Sequence, residues 1–543
     1  MKNIKSASLI ATIFIFGILV MINFIGIRNF VRLDLTSAKI YSLSDGSKDI
    51  VSGIDGKVRV RAFFTPDLPS PHNTTERYLR DLLEDYKAFS KGHMDYEFID
   101  PGSDEALERE ASSFLIPSRQ FQSVVNDKME MKMGYMGVVV MYGDKRETIP
   151  FVGNVGNLEY EISSILNRLT SPALPKLGLA LVGAEAKQLS IQQFYESIGQ
   201  NFNVVPINLS EPIDSSVDGI FLISPRIPLT EWQLYNLDQY IMAGGKVALF
   251  SSSYEVDQQQ SMFRQYSANL EGFLGNLGIS IGKDILIDNR CGAVKIQDPS
   301  GFSRTQQMVQ FPFMPSITLI NTENSITRSL SQVQTYFPSS VDGSEAVSKG
   351  YEAEGLLYTS NFSGRSIGRT IPMQLLREWV RQDFKEKNIP VAIVVKGAFD
   401  SYFKNSGPPQ KPEAGPGESG HVVRDTPYTG TFLPAATEEN RIIVVGDGHM
   451  PLDSHLPGHD REILFIQNIA DWLVQAESLI SIRSKQVVTP PLANIPNLEK
   501  KLVKWANHFG PVILVICLGL ILWQVRRYRK KALLILFTEG DGK

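Results

Sequence analysis

The chain is 543 residues long, with 43% hydrophobic and 21% charged residues and a formal net charge of −4. That length accommodates roughly two to four domains, and the missing basic excess argues against nucleic-acid binding, which requires a positive face. The cysteines are Cys291 and Cys517, the second inside an apolar run, which excludes a disulfide-stapled scaffold and leaves the core to size alone.

Residues 1–6 carry Lys2 and Lys5. The next stretch, 7–27, reads ASLIATIFIFGILVMINFIGI without a charge. At about 1.5 Å per residue it crosses an apolar layer of about 30 Å. A cleaved signal peptide would have an apolar region of about 7–15 residues ending at a small-x-small site. This run is longer and ends Ile22-Asn23-Phe24-Ile25-Gly26-Ile27, so an uncleaved transmembrane helix is expected. Residues 28–56 form a membrane-proximal connector. Arg28 and Arg32 suit the headgroup level, Asp34 and Thr36 are turn or cap formers, and SLSDGSKDIVSGI starts a short helix with Ser42 or Ser44 as N-cap.

A first domain is expected over 57–171. KVRVRAFF alternates and is β-rich, so it reads as a strand. The following helix places Tyr78, Leu79, Leu82, Leu83, Tyr86 and Phe89 on one stripe, with Thr75 as N-cap. MDYEFID is a second strand, and MGVVVMYGDKRETIPF a hairpin turning at Gly143-Asp144. Strand, helix, strand and hairpin is the order of thioredoxin-like folds. A redox site there requires Cys-x-x-Cys at the first helix, and TPDLPSPHNTTERY has no cysteine.

The larger domain is expected over 172–484. KLGLALVG, FNVVPINL, DGIFLISP and KVALFSSS are apolar strands. Thr230 and Gln233 fit a capping box opening a helix with Leu234, Leu237 and Ile241 on one side, closed by Gly244-Gly245. Alternating β and α with continuously apolar strands predicts a parallel sheet covered on both faces, an α/β fold. After a less regular stretch, IPVAIVVKGAF and RIIVVGDG read as further buried strands. DREILFIQNIADWLV closes the domain as a helix with Ile463, Ile466, Ile469 and Leu473 inward. The Pro/Gly-dense segment 406–420 reads as a flexible loop.

A Pro-rich connector, 485–508, leads to a second apolar run, 509–525, FGPVILVICLGLILWQV, at the short limit of about 17 residues for a span. A buried core helix is the competing reading. The tail 526–543, with Arg526, Arg527, Arg529, Lys530 and Lys531, argues against it and places itself in the cytoplasm. An even number of crossings returns the N-terminus to the same side and leaves the bulk outside the cytoplasm, at the cell (inner) membrane.

Candidate chemistry is sparse. AGGKVAL lacks the Gly-x4-Gly-Lys-Ser/Thr that wraps phosphates, and no Gly-x-Ser-x-Gly elbow exists, although Ser251, Ser252 and Ser253 end a strand where α/β enzymes keep catalytic groups. The loop GDGHMPLDSHLPGHDRE offers Asp447, His449, Asp453, His455, His459 and Asp460, ligand types that suit zinc, manganese or iron. Its spacing matches no standard motif, and the same loop 447–460 reads as a solvated strand-to-helix turn with Asp460 as N-cap. No cofactor motif is present.

RLDLTSAKIYSLSDGSKDIVSGIDGKVRVRAFFTPDLP, LDQYIMAGGKVALF, RIIVVGDG and NIADWLVQAESLISIRSK, in that order, resemble the GldG-like auxiliary subunits of ABC-2 type transporters. The resemblance covers nearly the whole chain. It implies a membrane-anchored, non-catalytic partner of an ABC-2 type permease and a separate ATPase, associated with gliding motility or uncharacterised export. It also implies a larger domain similar to class I glutamine amidotransferases, flavodoxin-like in layout and without their catalytic cysteine. Arg32, Asp34, Leu35, Thr36, Tyr41 and Leu43 then become candidates for coupling the first span to the permease. The alternatives are a metal-dependent envelope hydrolase using His449, Asp453, His455 and His459, or a freestanding ligand-binding scaffold.

Overall fold

The computed structural model describes residues 42–538 except 70–71, 126–127, 154, 172, 184–189, 258, 298–305, 412–430, 457, 459, 475–481 and 483–496. The expected first span, 7–27, and connector residues 28–41 lie outside the described residues, as does most of the 406–420 loop. The chain divides into two units, Met1–Val488 and Thr489–Lys543.

In the first unit, Ser44 caps α1 (Asp45–Ser52) by accepting from the Ser47 N–H. The alternating KVRVRAFF stretch forms β1 (Val58–Phe64). Then come α2 (Thr75–Phe89), β2 (Met94–Ile99), α3 (Glu105–Ser113), the hairpin β3 (Arg119–Val125) and β4 (Lys128–Gly134), β5 (Met136–Tyr142), β6 (Lys145–Ile149) and α4 (Val155–Thr170). Four strands form a sheet in the order β2-β1-β5-β6, with β1 parallel to β2 and antiparallel to β5. The β5–β6 turn uses Gly143 at φ +56°, a backbone state that glycine adopts without a Cβ clash. Leu79, Leu82, Leu83 and Tyr86 of α2 are buried against this sheet together with Leu158, Ile162 and Leu166 of α4. Two details differ from expectation. Thr74, not Thr75, stands at the cap of α2 and makes no side-chain cap bond. Phe89 is exposed, with the Lys48 ammonium 5.5 Å from its ring centroid.

Farther along the same unit, β7 (Lys176–Ala180), α5 (Gln192–Gly199), β8 (Asn203–Ile207), β9 (Gly219–Ile223), α6 (Glu231–Met242) and β10 (Lys246–Phe250) alternate. They are joined by β11 (Leu319–Ile320), β12 (Glu352–Tyr358), β13 (Pro390–Gly397), β14 (Asn440–Val445) and α7 (Asp460–Leu473). The result is an eight-stranded sheet in the order β11-β12-β13-β14-β10-β9-β7-β8. β14, β10, β9, β7 and β8 are mutually parallel, whereas β13, β12 and β11 run antiparallel to their neighbours. The sheet is therefore mixed rather than wholly parallel: a buried apolar run such as PVAIVVKG carries no mark of its direction.

Both faces are covered. α5 and α7 supply Phe194, Ile198, Phe465, Ile466 and Ile469 to one core, while α6 supplies Leu234, Leu237 and Ile241 to the other. The Thr230–Gln233 capping box is formed in both directions. Antiparallel strands at Tyr254–Asp257, Met262–Gln265, Cys291–Gln297, Gln306–Ile317 and Thr370–Pro372 surround an aromatic core of Phe263, Phe311, Phe313, Phe337 and Phe384.

The second unit contains α8 (Asn497–Thr538), 42 residues long. Within it, Asn507–Lys530 is long and apolar enough to cross a membrane, with mean hydropathy 2.0. Helix therefore starts inside the expected 485–508 connector and continues through the basic cluster. The exposed Ile513, Val515, Ile516, Leu518, Leu520, Ile521 and Leu522 form an apolar surface suited to lipid.

Candidate functional site

The five parallel strands end on one rim of the sheet, where α/β proteins place binding groups. Val182 and Gly183 follow β7, Ser224 and Arg226 follow β9, Ser251–Ser253 follow β10, and Gly446–His449 follow β14.

The loop after β14 is organised by Asp447. Its side chain is wholly buried and accepts backbone N–H groups from Tyr336 at 2.6 Å, His449 at 2.9 Å and Met450 at 3.0 Å. Burial pushes its pKa up to about 7, the three N–H donors pull it down, and the charge of Glu462 adds to the rise. His449 is also buried, packed edge-on against Phe337 at 5.4 Å and near His455 at 6.2 Å. Burial, then the charges of Arg226 and His455, lower its pKa to about 3, so the ring is neutral near pH 7. Its Nδ1 has no hydrogen-bond partner among the described residues.

The other candidate ligands go elsewhere. His455 stacks on Tyr336 at 4.1 Å. Asp453 serves α5 instead, accepting from the N–H groups of Gln192 at 2.7 Å and Gln193 at 2.8 Å and from the Ser190 hydroxyl. His459 lies outside the described residues, and Asp460 is the first residue of α7. Among the described residues no three His, Cys, Asp or Glu side chains are grouped to hold a metal ion.

The strand-end serines take part in local hydrogen bonds. The Ser251 N–H donates to Val445, the Ser252 hydroxyl to the Tyr254 carbonyl, and the Ser253 N–H to the Ser339 hydroxyl. Burial pushes the Cys291 thiol up to about 11, away from the reactive thiolate. Of the coupling candidates, Arg32, Asp34, Leu35, Thr36 and Tyr41 lie outside the described residues. Leu43 is buried in the core of the first module, next to Ser44. The Ser44 N–H and hydroxyl both donate to the buried Glu159 carboxylate of α4, at 2.7 and 2.5 Å, and the Ser47 hydroxyl donates to the same oxygen at 2.7 Å.

One residue on the rim was not singled out from sequence. Arg226 donates its backbone N–H to Val182 at 3.0 Å, tying the end of β9 to the end of β7, and its Nη1 to Glu255 at 3.3 Å. Its Nε is buried without a partner among the described residues. Ser224, two residues earlier, sits at φ +41°, and Phe337, the ring against His449, at φ +57°. Such conformations cost free energy and cluster at functional sites. The signal in the sequence was a charged residue two positions after the apolar stretch FLIS.

Comparison with known proteins gives two family matches. A family described as an ABC-type uncharacterized transport system matches residues 174–475, and a domain of unknown function (DUF7088) matches residues 37–141. An uncharacterized protein of Borreliella burgdorferi is 21% identical over 469 residues, covering 84% of this chain and 85% of that protein. Among solved structures, the mmIFT52 N-terminal domain aligns at 13% identity with a TM-score of 0.30, covering 55% of this chain and 96% of that one.

Proposed function

This chain belongs to the ABC-type uncharacterized transport system auxiliary family, and from that premise we propose that it is a non-catalytic, membrane-anchored subunit working beside an ABC-2 type permease and a separate ATPase. The family match across 174–475, which takes in the whole central sheet, carries the reading. The apolar helix segment Asn507–Lys530 and the basic residues Arg526, Arg527 and Arg529 within its end support an anchor whose C-terminal tail is cytoplasmic. With a second span at 7–27, both termini would share the cytoplasm and the two sheets would lie outside it.

In this reading the first module is thioredoxin-like and the larger one amidotransferase-like, without the nucleophile of either. Arg32, Asp34, Leu35, Thr36, Tyr41 and Leu43 would couple the first span to the permease. Affinity purification of the tagged full chain from native membranes tests the proposal. Recovery of a permease and an ATPase is expected, and recovery of neither overturns it. Alanine at Arg32, Asp34 and Tyr41 should lower that recovery without lowering the amount of the chain in the membrane.

A further inference from the structure

We propose that the crevice between the carboxyl ends of β7 and β9 binds a small molecule through an oxyanion, a carboxylate or a phosphate, received by Arg226. Family membership does not imply such a site, and the inference stands apart from the transporter assignment.

Topology places the crevice. From β7 the chain moves outward to β8, then crosses back over β7 to β9 and on toward β10 and β14. This is the order in which a doubly wound sheet opens a gap at its switch point, and ligands of open α/β sheets bind in that gap. Arg226 stands there, its backbone fastened to Val182 beyond β7.

The chemistry of the gap is unfinished. A guanidinium presents five N–H donors in a planar fork. Among the described residues one of them meets Glu255, at 3.3 Å, while Nε is buried and unpaired. Glu255 is 38% exposed and its partner Arg226 17% exposed, so the acid can turn to water while the cation stays in place. A bidentate oxyanion satisfies such a fork better than a single long contact.

Two glycines pack closely beside these strand ends. Gly183 lies at φ +118°, a backbone state that glycine adopts without a Cβ clash, and it sits over the Arg226 Cβ and the Ile227 side chain. A Cβ at Gly448 would stand 3.2 Å from the Ser224 hydroxyl, so the loop after β14 packs closely on the end of β9. The titratable neighbours that feel Arg226 are Glu255, His449 and Tyr266. His449 is neutral, so Arg226 is the cation of the group. The Tyr266 hydroxyl and His449 Nδ1 are both buried without partners among the described residues, two groups able to serve hydroxyls beside the anion.

The test titrates the purified full chain in detergent with glucuronate, glucose 1-phosphate and glucose, read by calorimetry. Saturable binding of one anion and none of glucose is expected. Arg226→Gln should weaken it about tenfold or more, the loss of a charged bidentate contact. Glu255→Gln, which removes the competitor for the guanidinium, should tighten it about threefold or more. Preference for glucuronate assigns a carboxylate, and preference for glucose 1-phosphate a phosphate ester. No saturable binding of either anion overturns the proposal, as does equal binding of glucose or unchanged affinity in Arg226→Gln. If Arg226→Gln does not fold, a Glu255→Gln variant that binds no tighter overturns it. Recovery of permease and ATPase is scored separately, so the two readings fail independently.

Discussion

The Asp447 carboxyl titrates at about 7 in the fold against 3.8 for the free group, while His449 titrates at about 3 against 6.5. Asp447 therefore contributes stability that is complete below pH 3.8 and is lost as pH rises through about 7. His449 contributes stability that is complete above pH 6.5 and is lost as pH falls toward 3. Across the interval they share, the two slopes oppose each other. Asp447→Asn should leave a protein that weakens steadily on acidification below pH 6.5. His449→Gln should leave one that strengthens between pH 7 and 4. Urea unfolding at three pH values checks this, and parallel curves for the two variants would contradict it. At neutral pH, Asp447→Ala strands three buried N–H donors and should cost about 2–4 kcal/mol, read from the same unfolding midpoint.

At the scale of elements, Asp453 acts through the first turn of α5 rather than through chemistry. Asp453→Ala should lower stability by about 1–2 kcal/mol, the usual loss of a helix cap, with no change in bound metal by elemental analysis. Several elements were legible in advance because their causes are local. The α6 capping box needs only Thr230 and Gln233, and β7 to β10 need only their apolar runs. The helix α4 was not foreseen. Its buried face mixes Leu158, Ile162 and Leu166 with Glu159, Ser163 and Ser164, and Glu159 and Ser163 are satisfied there by bonds from Ser44, Ser47 and Tyr86. A partner more than a hundred residues away leaves no periodic trace. The short α3 has Ala111 as its one buried residue, too little to make a stripe. The rim arginine escaped for a related reason: its place at the switch point exists only once β8 and β9 have taken opposite sides of β7.

Across the larger unit, Arg168 of α4 links β6 of the smaller sheet to the turn that precedes β8 of the larger one. It donates to Glu147 of β6 at 3.1 Å and to Asn201 beyond α5, and Asn201 in turn donates to the Tyr160 hydroxyl at 2.9 Å. The pair is partly buried, so its loss is felt more than that of a solvated surface pair. Arg168→Ala should split one calorimetric unfolding transition into two, with the smaller sheet melting first. A single unsplit transition would show that the modules are held by other contacts.

The Ser44–Glu159 clasp gives this unit a mechanical character. Leu43 is sunk in the core and Ser44 is pinned through both its N–H and its hydroxyl, so the polypeptide enters the domain without slack. A pull or twist arriving along the backbone at this point loads α4 directly, and Arg168 passes it to the turn between α5 and β8. Cutting the pin with Glu159→Ala would turn a stiff handle into a tether, visible as faster amide exchange through Asp45–Ser52.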